Sequence, residues 1–218
     1  MIFVVLILTF FISSLGSFVQ KGVDLNKYLL RFSGAFFLAM VFSHYLPESY
    51  SSGSENIGLW VVLGFVFQLI LDFFSKGVEH GHMHSQDLVS VQLWLALSVH
   101  SFVEGAALEV SQNSAWLFGI IIHKIPVAFL LGFMVKKLDW SKFKKGLLLL
   151  GFACATPFGY GISTFFKLDV FAPEITALSA GLLMHVSTII LFEGDKNHKF
   201  EWKKSGVVFL GIICAVLL

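Results

Sequence analysis

Long apolar runs alternate with short polar connectors along the whole chain. A helix that spans a bilayer needs about 20 predominantly apolar residues, and eight segments approach or meet that length. They are 2–19, 29–48, 57–75, 89–109, 115–135, 146–166, 174–193 and 205–218. The last is the weakest, because its apolar stretch runs only from Val207 to Leu218 and must borrow its polar start or sit where the bilayer thins. Ser51-Ser52-Gly53-Ser54 and Ser111-Gln112-Asn113-Ser114 read as short turns between spans. No linker is long enough to divide the chain and no internal repeat is evident. The expected fold is therefore all-α, a multi-pass integral membrane bundle of eight transmembrane helices forming a single domain over residues 1–218.

Composition agrees with this reading. Of the 218 residues, 56% are hydrophobic and 13% charged, against about 25% charged in soluble domains, and the mean hydropathy is +0.82. The lipid bilayer is the expected surroundings. The apolar segment at 2–19 has neither a basic stretch before it nor a small-residue cleavage site after it, so it reads as a retained helix rather than a signal peptide. Cys154 and Cys214 lie in apolar runs and suggest neither a disulfide framework nor a thiolate cluster. A net charge of +1, without a basic patch, gives no reason to expect nucleic acid as a partner.

Basic residues orient the bundle, since Lys and Arg favour cytoplasmic connectors. Connector 1–2 holds Lys21, Lys27 and Arg31; connector 3–4 holds Lys76; connector 5–6 holds Lys136, Lys137, Lys142, Lys144 and Lys145; connector 7–8 holds Lys196, Lys199, Lys203 and Lys204. Only Lys167 falls on the opposite side, and Lys124 lies inside a span. Eight spans with both termini extracytoplasmic account for this bias; a miscounted helix would destroy it. Connector 3–4, at 76–88, then becomes a short cytoplasmic loop whose alternating His80, His82 and His84 form a loose metal-binding tract.

Ionisable groups inside spans cost about 2.5–3.5 kcal/mol each on insertion scales and mark functional sites. His100 and Glu104 are four residues apart in the fourth span and share one helical face. His123 lies at similar depth in the fifth. Two imidazoles and a carboxylate make three ligands of a tetrahedral zinc site, although an intramembrane His is also a common hydrogen-bonded structural residue. Pro126 cannot donate to the carbonyl of Ile122, which frees that oxygen near the site. Lys124 fits a salt bridge to Glu104 and equally a fixed charge where a second cation would otherwise bind. His185 in the seventh span, His44 and Glu48 at the end of the second, and Asp72 in the third are further pathway or metal contacts to consider, each with an ordinary structural reading beside it.

These residues resemble the ZIP family of zinc and iron transporters. His100-Ser101-Phe102-Val103-Glu104-Gly105 is similar to that family's fourth-helix His-x-x-x-Glu-Gly signature, and His123-Lys124-Ile125-Pro126 to its fifth-helix motif in branches with Lys after the His. Ala155-Thr156-Pro157-Phe158-Gly159 resembles the sixth-helix Pro-x-Gly segment, and His44-Tyr45-Leu46-Pro47-Glu48 the end of the second helix. Relatives that bind two metals side by side use an amide, carboxylates and a Glu where this chain has Ser101, Lys124, Val127 and Thr156. The resemblance thus implies one ion per centre, held by His100, Glu104 and His123, with water or Ser101 completing the shell.

The function so implied is alternating-access transport of a divalent ion toward the cytoplasm. Zn²⁺ is the expected ion, with Fe²⁺, Mn²⁺, Co²⁺ and Cd²⁺ compatible with the same ligands. The membrane expected is the cell membrane, plasma or inner, with an intracellular one left open. The partners expected are the ion and the bilayer, with a homodimer left open. An enzyme is not expected. The rival readings are an intramembrane zinc hydrolase, which needs a general base beyond the ligands, and a metal-binding relative that does not transport. Since protons compete with metal for the ligands, uptake is expected to fall as the pH drops through the range where histidine titrates.

Overall fold

The computed structural model describes residues 23–75, 91–111, 114–192 and 202–218, together with Leu8 and Ile12. Every extended element among them is helical. α1 (Val23–Met40), a π-helical turn (Val41–Tyr45) and α2 (Leu46–Ser51) follow one another directly. Then come α3 (Ile57–Ser75), α4 (Val91–Ser111), α5 (Ser114–Lys136), α6 (Lys142–Phe166), a 3₁₀ turn (Leu168–Phe171), α7 (Ala172–Phe192) and α8 (Trp202–Val216). The expected first span, 2–19, and the His-bearing loop at 76–88 lie outside the described residues.

The apolar runs become helices because a bilayer offers no hydrogen-bond partners, so each backbone group must be satisfied within its own segment. Among the described residues, five helical segments are long and apolar enough to cross a membrane: 28–51, 57–74, 116–136, 142–166 and 168–192. α4 falls outside this group while carrying His100, Glu104 and Glu109, and α8 has only 15 residues. The expected boundaries hold closely for the third to eighth spans. The second begins earlier than expected, at Val23, which places Lys27 and Arg31 inside α1 rather than in a connector, with Arg31 buried. Nor does Pro47 stop that segment. It lies in the first turn of α2 directly after the π-helical turn, and the helix runs on to Ser51.

Polarity is distributed the reverse of a soluble protein's. Leu59, Val62, Leu63, Val66, Leu69, Ile70, Phe73 and Phe74 of α3 are exposed, whereas Ser33, Gln68, His100, Ser101, Glu104, His123, Lys124 and Thr156 are buried. An apolar exterior around a polar interior is the arrangement a bilayer selects.

Two helix pairs are packed at backbone distance through reciprocal glycines. A Cβ on Gly105 of α4 would lie 2.0 Å from the Thr156 carbonyl oxygen of α6, and one on Gly159 of α6 would lie 2.0 Å from that of Phe102 on α4. The same relation joins α3 and α7, where Gly64 meets the Leu178 carbonyl and Gly181 that of Val61, both at 1.9 Å. No residue with a side chain fits these positions. Trp94 Nε1 donates to the Leu148 carbonyl at 3.0 Å and Ser163 Oγ to Glu109 at 3.0 Å, reinforcing α4 against α6. Ser54 hydrogen-bonds Glu174 and ties the approach to α3 to the start of α7. Phe36, Phe37, Met40, Tyr45, Trp116 and Ile120 fill the space where α1 and α5 meet.

Candidate metal centre

The site begins with helical spacing. His100 and Glu104 are one turn apart on α4, and the ring Nε2 of His100 lies 3.1 Å from Glu104 Oε1. α5 brings His123 alongside, its Nε2 3.9 Å from the same Oε1. The imidazole centroids are 5.6 Å apart. Donor atoms of the three lie within 4.8 Å of one another, and all three residues are buried.

The geometry suits a cation better than a hydrogen bond. His100 Nε2 and Glu104 Oε1 are close, yet neither makes a hydrogen bond among the described residues. Buried polar atoms left so carry a desolvation cost of about 1–3 kcal/mol, which a shared cation would remove. Ligands about 2.0–2.1 Å from a tetrahedral Zn²⁺ stand about 3.3 Å from each other, and the spacings of 3.1 Å and 3.9 Å bracket that value.

The other carboxylate oxygen is taken. Lys124 Nζ donates to Glu104 Oε2 at 2.7 Å and to Ser101 Oγ at 2.9 Å, and stands 5.7 Å from the centroid of the Phe152 ring. Lys124 is itself buried, so this is a salt bridge inside the bundle rather than a side chain reaching for the surface. Ser101 Oγ is thus held by the same ammonium that holds Glu104 Oε2.

Two further side chains touch the imidazoles from outside. Gln68 Oε1 of α3 lies 3.2 Å from His100 Nδ1, and Ser33 Oγ of α1 lies 3.4 Å from His123 Nδ1. Both are fully buried. Phe37 meets the His123 ring edge-on with centroids 4.9 Å apart. Sequence reasoning passed over Gln68 and Ser33. An amide in the middle of the apolar run Phe65-Val66-Phe67-Gln68-Leu69 was a usable signal for the first; a lone serine in a membrane helix was not.

Among the described residues, no other candidate carboxylate or imidazole joins the trio's group of donors. His185 is buried on α7 and packs edge-on against Phe65 at 4.8 Å. His44 sits on the π-helical turn with Nε2 3.1 Å from the Ala215 carbonyl, so it joins the end of the second span to α8. Glu48 is exposed on α2 and Asp72 half-buried on α3. His80, His82 and His84 fall outside the described residues. α5 continues as one helix through Pro126, from Ser114 to Lys136.

Comparison with known proteins adds an independent line. The family model described as ZIP Zinc transporter matches residues 75–218, a stretch that includes α4 to α8 and all three residues of the trio. Zinc transporter ZIP9-B of Xenopus laevis is 31% identical over 169 residues, covering 65% of this chain and 54% of that protein. Zinc transporter ZIP9 of Micropogonias undulatus is 33% identical over 160 residues, covering 61% and 49%. Protein zntD of Dictyostelium discoideum is 25% identical over 142 residues, covering 55% and 21%. The chain spans about half the length of the ZIP9 relatives it matches. With its family match extending over well more than half of its residues, the chain belongs to the ZIP zinc transporter family.

Proposed function

We propose that this protein carries a divalent metal ion, zinc first among them, across a membrane toward the cytoplasm, one ion at a time, through a site formed by His100, Glu104 and His123. The observation that carries the reading is the convergence of two imidazole Nε2 atoms on a single buried carboxylate oxygen. The names of the ZIP9 relatives support zinc as the ion. Three protein ligands leave a coordination position open, which suits loading and release, whereas a permanent structural site would be closed by a fourth. The pairing of Lys124 with Glu104 Oε2 and Ser101 supports a mononuclear centre, because a second cation would meet an ammonium where relatives offer a ligand. Eight spans with both termini extracytoplasmic, in the cell membrane, complete the proposal; the distribution of basic residues supports that orientation.

The test is flux of Zn²⁺, Fe²⁺, Mn²⁺, Co²⁺ and Cd²⁺ into sealed proteoliposomes containing the full chain. Zinc entry is expected, with loss of at least tenfold in His100→Ala and Glu104→Ala, an order-of-magnitude expectation for removing one of three ligands. Undiminished flux in both variants would overturn the site assignment. Metal-dependent hydrolysis without flux would favour the intramembrane hydrolase.

A further inference from the structure

An imidazole ligates a metal only through a ring nitrogen that carries no proton, so each ligand histidine must be held in the right tautomer. Gln68 supplies what His100 needs. In the tautomer with its proton on Nδ1, that nitrogen donates to the Gln68 amide oxygen at 3.2 Å, and Nε2 keeps its lone pair facing Glu104 Oε1. Ser33 stands in the equivalent place at His123 Nδ1. Neither partner lies on a ligand-bearing helix. Gln68 is on α3, which reciprocal glycines lock to α7, while His100 is on α4, which reciprocal glycines lock to α6. The hydrogen bond therefore runs between two backbone-locked pairs, and it depends on how one pair sits against the other.

We infer that Gln68 is a positioning residue for metal binding, fixing the tautomer and ring angle of His100 from across the boundary between the α3–α7 and α4–α6 pairs, so that the strength of the metal site depends on the alignment of α3 with α4. The inference rests on His100, Glu104 and His123 being the metal ligands. A relative shift of about 1.5 Å, the rise of one helical residue, stretches a 3.2 Å contact beyond hydrogen-bond range. Loss of that hydrogen bond weakens the site while His100 and Glu104 stay together on α4, which is what release at the far side of a membrane requires. Ser33 repeats the arrangement for α1 and α5, with a longer contact.

The experiment measures Zn²⁺ affinity, Co²⁺ absorption and Zn²⁺ flux on the purified full chain, comparing the parent with Gln68→Leu, Gln68→Glu and His100→Ala. Gln68→Leu keeps the bulk and removes the acceptor; it is expected to weaken Zn²⁺ binding about 10–100-fold, alter the Co²⁺ bands and raise KM more than it lowers kcat. Gln68→Glu retains an acceptor and is expected to restore the Co²⁺ spectrum and an affinity no weaker than the parent's. If Gln68→Leu does not fold, Gln68→Glu decides alone: parent-like bands support the inference and altered bands with weakened binding overturn it. Unchanged affinity and bands in a folded Gln68→Leu, while His100→Ala loses the metal, would overturn the positioning role and leave the ligand assignment standing. Unchanged binding in His100→Ala would overturn the ligand assignment and this inference with it.

Discussion

Glu104 is the residue on which the centre turns, because its two oxygens face different groups. Oε1 faces the two histidines and Oε2 is held by Lys124 at 2.7 Å. A buried carboxylate without a counter-charge is strongly destabilising, so removing one partner of such a pair costs about 3–5 kcal/mol. Lys124→Met is thus expected to lower thermal stability in detergent without metal, and to gain more from added Zn²⁺ than the parent does, since a bound cation replaces the missing charge. Equal zinc-induced shifts in the two proteins would count against a shared carboxylate. Lys124→Asp asks a separate question. If the ammonium excludes a second ion, bound zinc per chain rises above the parent value, and an unchanged stoichiometry would remove the exclusion argument. The trio and Lys124 were legible in the sequence, because charges inside apolar runs stand out and four-residue spacing fixes a shared face. The hydrogen bonds to Gln68 and Ser33 were not, because they join residues 32 and 90 positions apart whose meeting depends on which helices become neighbours.

At the level of the element, α4 is the helix that places the chemistry, and Gly105 decides how near it comes to α6. Small residues such as those next to Glu104 would also suit an interface along which helices slide. The structure instead gives Gly105 a backbone contact with Thr156, matched one turn away by Gly159 with Phe102, which suits two helices that move together. Gly105→Ala puts a methyl 2.0 Å from a carbonyl oxygen. Overpacking of this kind costs about 1–3 kcal/mol or more. The expected result is a clear fall in melting temperature together with weakened zinc binding, because His100 and Glu104 move with the helix. Gly146→Ala and Gly161→Ala on α6 meet nothing within 4 Å and serve as controls, with stability unchanged or slightly raised. Equal melting temperatures for Gly105→Ala and the controls would show that the close approach is not required. From the third expected span to the eighth, helix existence and extent were legible from the apolar runs; the pairing of α4 with α6 and of α3 with α7 was not, because a glycine in a sequence does not say which carbonyl it admits. The π-helical turn at Val41–Tyr45 left no trace in the pattern either, since one extra residue in a turn does not interrupt an apolar run.

At the scale of the whole molecule, the proposed orientation rests on charge and can be tested at the two ends of α6. With 25 residues this helix is about 37 Å long, enough to cross the roughly 30 Å hydrocarbon layer. Asp139 precedes it and Asp169 follows it, and both are exposed. In a background with Cys154→Ser and Cys214→Ser, Asp169→Cys is expected to react with a membrane-impermeant maleimide on intact cells, and Asp139→Cys only after permeabilisation. Labelling of both from the same side would undo the charge-based orientation. Sequence alone determined that the chain is a helical membrane bundle and that two histidines and a glutamate share a depth within it. Those conclusions depend on length, hydropathy and local periodicity, which are properties of single segments. Only the tertiary structure decided that the three donors converge on one carboxylate oxygen, that Lys124 holds the other, and that Gln68 and Ser33 face the imidazoles from helices outside the ligand set. Those facts depend on close approach between segments, and the glycine contacts that set it exist only once the helices have chosen their neighbours.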